Sequence, residues 1–145
     1  MIDVETAIVI HRPQMVVADY AANPDNAPRW YRNIDSAERQ TPAPTRIGSR
    51  IAFTARFLGR TLSYVYEVTE YEPAHKLVMR TAEGPFPMET TYTWMALANS
   101  TRMTLRNRGE PTGFSRIAAP MLTRAMRAAN HKDLENIKLL LESGR

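Results

Sequence analysis

The sequence predicts an α+β fold: a curved antiparallel sheet of about seven strands wrapped on a long C-terminal helix, with two short helices after strand 1. Three features of the chain carry that expectation. Apolar residues recur with period two in 4–12 and through most of 33–107, the spacing of half-buried strands. Residues 13–31, between those regions, carry helix signals punctuated by prolines. Beyond Gly109-Glu110-Pro111-Thr112-Gly113 the period changes to 3.6 and stays there to the end.

In the first strand Val4, Thr6, Ile8 and Ile10 share one side, and Glu5, Ala7, Val9 and His11 the other. Pro13 suits a first helical turn, which Met15, Val16, Ala18, Asp19 and Ala22 continue. Asn23-Pro24 ends that helix, because a residue before proline is pushed out of the α region. Asp25, Asn26 and Pro28 then restart a helix that leads into Arg29-Trp30-Tyr31, with Trp30 expected between this helix and the sheet.

Ile51, Phe53, Ala55 and Phe57 alternate with Arg50, Thr54 and Arg56. Leu58-Gly59-Arg60 is a tight connection into a strand whose apolar face is Leu62, Tyr64, Tyr66 and Val68. After the turn at Glu72-Pro73-Ala74, Leu77 and Met79 alternate with Lys76, Val78 and Arg80. Glu83-Gly84-Pro85-Phe86-Pro87 is the clearest loop. Tyr92, Trp94 and Ala96 then oppose Thr93, Met95 and Leu97, and past Asn99-Ser100 Met103 and Leu105 alternate with Arg102, Thr104 and Arg106. Strands joined by turns this short pair as antiparallel neighbours. The final helix is expected over 113–143, with Leu122, Met126, Ala129, Ile137 and Leu140 as its apolar stripe and Leu134 and Leu141 flanking it. Pro120 calls for a kink or a short lead-in helix near its start.

The 145 residues suit one domain, 1–145, which would bury roughly two-thirds of the unfolded surface. A 43% hydrophobic content excludes a disordered chain, and no apolar run approaches the ~18 residues of a membrane span. Acids at Asp3 and Glu5 stand where a signal peptide carries bases, so a cytoplasmic location is expected. Without cysteine there is no disulfide, thiolate nucleophile or cysteine-ligated zinc. Residues 1–99 carry ten basic and eleven acidic side chains, and 100–145 nine and four. The excess arginines recur through strand and helix patterns like a solvated face, without the interleaved aromatics of a nucleic-acid binder. No nucleic acid is expected as a partner. His11, His75 and His131 fall on different elements, so no metal site is expected, and no motif implies a cofactor.

Six or seven strands curl strongly, and one helix does not fill the concave side of such a sheet. A cavity is therefore expected between them, faced by Phe53, Tyr64, Tyr66, Met79, Trp94, Met103, Leu105, Leu122 and Met126. Its mouth is expected among the loops 58–60, 83–87 and 113–120. The eight methionines suit variable contents, because a thioether side chain adapts to irregular neighbours.

Three segments carry a family likeness: Arg12-Pro13…Val16-Val17-Ala18-Asp19-Tyr20…Asn23-Pro24-Asp25-Asn26…Trp30, then Glu67-Val68-Thr69-Glu70-Tyr71-Glu72-Pro73-Ala74-His75-Lys76-Leu77, and the helix at Asp133-Leu134-Glu135-Asn136-Ile137-Lys138-Leu139-Leu140-Leu141-Glu142. Together with the order of elements they resemble the START-like helix-grip superfamily (SRPBCC), in its polyketide cyclase/dehydrase-type members. The resemblance spans nearly the whole chain. It implies an internal cavity that binds a hydrophobic small molecule such as a lipid, polyketide or sterol.

Polar groups on apolar faces are the candidates for chemistry. Tyr64 and Tyr66 carry hydroxyls into a buried face. Asn130 and Asp133 lie near the apolar stripe of the last helix; they either face the cavity, where a desolvated Asp133 could act as acid or base, or sit hydrated at the rim. Arg80 and Arg106 are expected to point outward, unless a bulge turns one of them in. Two functions remain open: binding or transport of a hydrophobic small molecule, and a polyketide cyclase/aromatase-type enzyme using cavity polar residues. One or two polar anchors suit the first, and three or more convergent polar groups at one end suit the second. The expected partner is the small-molecule ligand, without an integral membrane segment, and a homodimer is left open.

Overall fold

A computed structural model describes residues 2–57, 59–110 and 119–143. The strands are β1 (Ile2–Ile10), β2 (Ile34–Arg39), β3 (Arg50–Phe57), β4 (Arg60–Glu72), β5 (Lys76–Glu83), β6 (Met88–Ala96) and β7 (Thr101–Gly109). The helices are α1 (Gln14–Ala22), α2 (Ala27–Trp30) and α3 (Ala119–Glu142), with a single 3-10 turn at Pro24–Asn26 between the first two. All seven strands form one antiparallel sheet, ordered β1-β7-β6-β5-β4-β3-β2, that curls around α3. Every neighbour is sequential except β1 with β7, because the two short helices carry the chain from β1 to the far edge.

Alternation puts the expected residues inward: Val4 and Ile10, Ile51 and Phe53, Leu77 and Met79, Met103 and Leu105 are all buried. The sequence pattern fails in three places. Val65 and Tyr66 are both buried because β4 slips register there and again between Val68 and Glu70, and such bulges bend a long strand. Val78 is buried although its alternation points it away from Leu77 and Met79. Ala96, expected inward, is exposed at the end of β6.

The connection between the short helices follows its chemistry. Asn23 accepts the N–H of Asp25 at 3.0 Å, capping the turn, and Trp30 ends α2 fully buried. Its ring lies 4.0 Å from that of Tyr31 and 5.7 Å from that of Tyr92. Two side chains of α3 hold the end of α2. Asn136 donates to the carbonyls of Arg29 and Trp30, both at 3.0 Å, and Asp133 accepts the N–H of Arg32 at 3.0 Å. Lys138 and Glu142 fasten the other end of α3 to β1, through the Val9 carbonyl and the His11 N–H.

On α3 the buried stripe runs through Leu122, Asn130, Asp133, Leu134, Ile137 and Leu141, with Met126, Ala129 and Leu140 only half-buried. The apolar stripe expected from sequence is thus rotated slightly, and two polar residues sit at its centre. Leu122 packs with Ile2 and Val4, with Met126 alongside, while Leu134, Ile137 and Leu141 join the main core around Ile10, Trp30 and Val68. The expected lead-in before Pro120 falls at 113–118, outside the described residues. No described helix is long and apolar enough to cross a membrane.

Candidate functional site

A cavity of about 130 Å³ lies between α3 and the concave side of the sheet. Strand alternation assembles most of its wall: β3 contributes Phe53, Ala55 and Phe57, and β4 contributes Leu62, Tyr64 and Tyr66. Met79 comes from β5, Met88, Thr90 and Tyr92 from β6, and Asn107 from β7. From α3 come Leu122, Met126, Ala129, Asn130 and Asp133, successive turns of one helical face. Eight of the residues expected there therefore line it: Phe53, Tyr64, Tyr66, Met79, Leu122, Met126, Asn130 and Asp133.

Trp94, Met103 and Leu105 do not line it. All three are buried in the main core, 2%, 0% and 0% exposed. The correct parity put them on the concave side, but they lie further along β6 and β7, where α1 and the C-terminal half of α3 cover the sheet and leave no space. Arg80 and Arg106 stay on the outer face, paired with Glu89 at 2.8 Å and Asp3 at 2.6 Å. Of the expected mouth loops, Arg60 and Phe86 do reach the wall, while 113–118 of the third lie outside the described residues and its last two positions begin α3. Gly84 in the second loop lies against Tyr64: a Cβ there would sit 3.0 Å from that of Tyr64, so a side chain at 84 would press on the wall.

Inward of Arg56 and Arg60 at the β3–β4 hairpin, the wall is first apolar and then polar. Tyr64 and Tyr66 pack edge-on at 5.0 Å, with Phe53 against both. Deeper lie two hydrogen-bonded groups. In the first, the hydroxyls of Tyr31 and Tyr92 meet at 2.5 Å. Only one of their two protons is used in that bond, so one O–H is left to donate. In the second, Tyr66 bonds Thr90 at 2.8 Å, Thr90 donates to Asn107 at 2.6 Å, and Asn107 donates to Asn130 at 3.1 Å.

Asp133 stands beside the first group. Desolvation pushes its carboxyl up to about 6, against the opposing pull of the Arg32 N–H and the Arg32 charge. Burial pushes Tyr66 up to about 12 and raises Tyr31, Tyr64 and Tyr92 further from the phenol range, so all four stay neutral at ordinary pH. Asp133 is thus the buried group in this wall that titrates near neutrality, and its charge bears on both Tyr31 and Tyr92. No cluster of three or more metal-ligating side chains occurs among the described residues.

Tyr31, Thr90, Tyr92 and Asn107 were not among the residues expected at the site. Tyr92 and Asn107 share strand parity with Trp94 and Leu105, so the signal was present: a hydroxyl or amide in a run of inward-facing positions. Tyr31 had no such signal, since α2 and its exit are fixed by contacts with α3.

A curled antiparallel sheet closed over a mostly apolar cavity by one long helix defines a helix-grip, START-like protein. The chain belongs to the family described as polyketide cyclase / dehydrase and lipid transport, whose model matches residues 1–142. It is similar in fold to a START superfamily protein from Mycobacterium smegmatis, at 12% identity, TM-score 0.85 and 99% of each chain covered. A protein of Thermus thermophilus matches at 18% identity and TM-score 0.84, over 98% of each chain. The Zhui aromatase/cyclase from a Streptomyces species matches at 15% identity and TM-score 0.80, over 97% of this chain and 93% of that one. The comparison with curated proteins gives no match.

Proposed function

We propose that this protein binds one largely apolar small molecule, bearing one or two oxygens, between α3 and the sheet. The observation that carries this is the cavity wall, mostly apolar, with Arg56, Arg60 and Arg108 also on its lining and the hydroxyl, amide and carboxyl groups gathered around Tyr92, Asn130 and Asp133. An apolar cavity of about 150 Å³ accepts benzene, so a volume of about 130 Å³ suits a one-ring molecule, and longer ligands extend toward Arg60 and Phe86. Burial supplies the affinity, at about 25 cal/mol per Å² of apolar surface, and the polar end sets orientation. Native mass spectrometry of freshly purified protein, before and after organic extraction, tests it: a small-molecule adduct that extraction removes supports the reading. Protein that carries no adduct and takes up no one-ring ketone or hydrocarbon added at millimolar concentration contradicts it.

A cyclase/aromatase-type reaction is the second reading, favoured by Asp133. A carboxyl with a pKa of about 6 beside a neutral tyrosine pair can exchange protons near neutral pH. With Asn130 and Tyr64 nearby on the wall, the polar groups outnumber the one or two anchors that simple carriage needs. Conversion of an added polyketone to a cyclised product, lost in Asp133→Asn, would support it; turnover unchanged in that variant would contradict it.

A further inference from the structure

We infer that Asn130 makes this cavity selective for a hydrogen-bond acceptor, a ligand carbonyl oxygen, because the Tyr66–Thr90–Asn107–Asn130 chain ends in an unpaired amide N–H at its wall. The inference rests on the cavity being the binding site. Thr90 has a single hydroxyl proton and gives it to Asn107 Oδ1. Its oxygen is therefore the acceptor in the bond with Tyr66, and Tyr66 donates. Asn107, with its oxygen occupied by Thr90, turns Nδ2 to Asn130 Oδ1. Asn130 is left with its own Nδ2, which has no hydrogen-bond partner among the described residues although the residue is only 4% exposed.

A buried amide donor without a partner is costly, and native proteins rarely leave one unless something else fills the position. Asn130 lines the cavity with its Nδ2 covered, so a ligand carbonyl meets that donor through a small turn of the amide toward the cavity. The order of the chain decides which ligand. Three bonds run in one direction and end in a donor, so a donor-only ligand group such as an aromatic N–H meets N–H against N–H at Asn130 and gains nothing there. A ketone or ester carbonyl satisfies the amide directly, and the spare O–H of the Tyr31–Tyr92 pair offers a second donor on the same wall.

The experiment uses acetophenone and ethylbenzene, probes of one-ring size that differ in the carbonyl. A purely apolar cavity would prefer ethylbenzene, since transferring a carbonyl out of water without a partner is unfavourable. The wild type is expected to bind acetophenone at least as tightly. Asn130→Leu should weaken acetophenone about tenfold, the scale of one buried hydrogen bond left unmade, while ethylbenzene changes less than about twofold. In the wild type, the Asn130 side-chain amide proton should move downfield in nitrogen-15 correlation spectra with acetophenone and not with ethylbenzene, a readout that stands even if Asn130→Leu fails to fold. An amide that responds alike to both probes, or a probe preference unchanged in Asn130→Leu, overturns the inference and leaves the cavity reading intact. Failure of both probes to bind wild type overturns the cavity reading and this inference with it.

Discussion

Asp133 Oδ1 accepts the backbone N–H of Arg32 at 3.0 Å, so one carboxylate of α3 both holds the exit of α2 and faces the cavity. The same bond places Tyr31, the residue before Arg32, against Tyr92.

Asp133 should therefore leave a pH signature on stability. Its pKa is raised from 3.8 to about 6 in the folded protein, so between those values the folded chain holds more of the proton than the unfolded chain. Stability from this group is then highest below pH 4 and falls as pH rises toward 6, by up to about 3 kcal/mol. Asp133→Asn keeps an acceptor for Arg32 and removes the buried charge. It should raise stability at pH 8 by about 1–2 kcal/mol and flatten the difference between pH 4 and pH 7, measured by urea unfolding. A variant less stable than wild type at pH 8 would show that the charge is compensated by a partner.

Trp30 is fully buried among Tyr31, Tyr92 and the main core, but its Nε1 has no partner among the described residues. Its contribution is volume. Trp30→Ala should cost about 3–5 kcal/mol in denaturant unfolding, the range for large buried aromatics, and Trp30→Phe well under half of that. A loss below about 1 kcal/mol for the alanine variant would contradict this placement.

The two wall tyrosines should separate. The Tyr66 hydroxyl is committed to Thr90, so Tyr66→Phe should lower stability by about 0.5–1.5 kcal/mol. The Tyr64 hydroxyl has no hydrogen-bond partner among the described residues, so Tyr64→Phe should leave stability within about 0.5 kcal/mol and act on ligand affinity instead. Equal stability losses for the two variants would contradict the assignment.

The fold was legible in the chain because each element stated its own period: Phe53 and Tyr66 alternate, and Leu122 and Met126 recur at helical spacing. Parity gave the correct side of the sheet for Trp94, Met103 and Leu105 but not their position along the strands, which α1 and α3 decide by what they cover. Asn130 and Asp133 could be read as cavity or rim, since polar residues near a stripe look the same in either place. Their burial depends on the rotation of α3 about its axis, set by contacts with β1 and α2. The Tyr31–Tyr92 bond was invisible for a related reason: it joins residues 61 positions apart through two elements whose packing no local pattern records.

The most direct test of the cavity as binding site is acetophenone titration, by calorimetry, of wild type and Ala129→Phe. Ala129 is half-buried on the wall, and a phenyl ring there fills a volume of about 130 Å³ without displacing the Leu134 and Ile137 core. The expected result is one saturable site in wild type and none in Ala129→Phe, with the thermal midpoints within a few degrees, about what 1 kcal/mol produces. Acetophenone binding to a folded Ala129→Phe as tightly as to wild type would contradict the account.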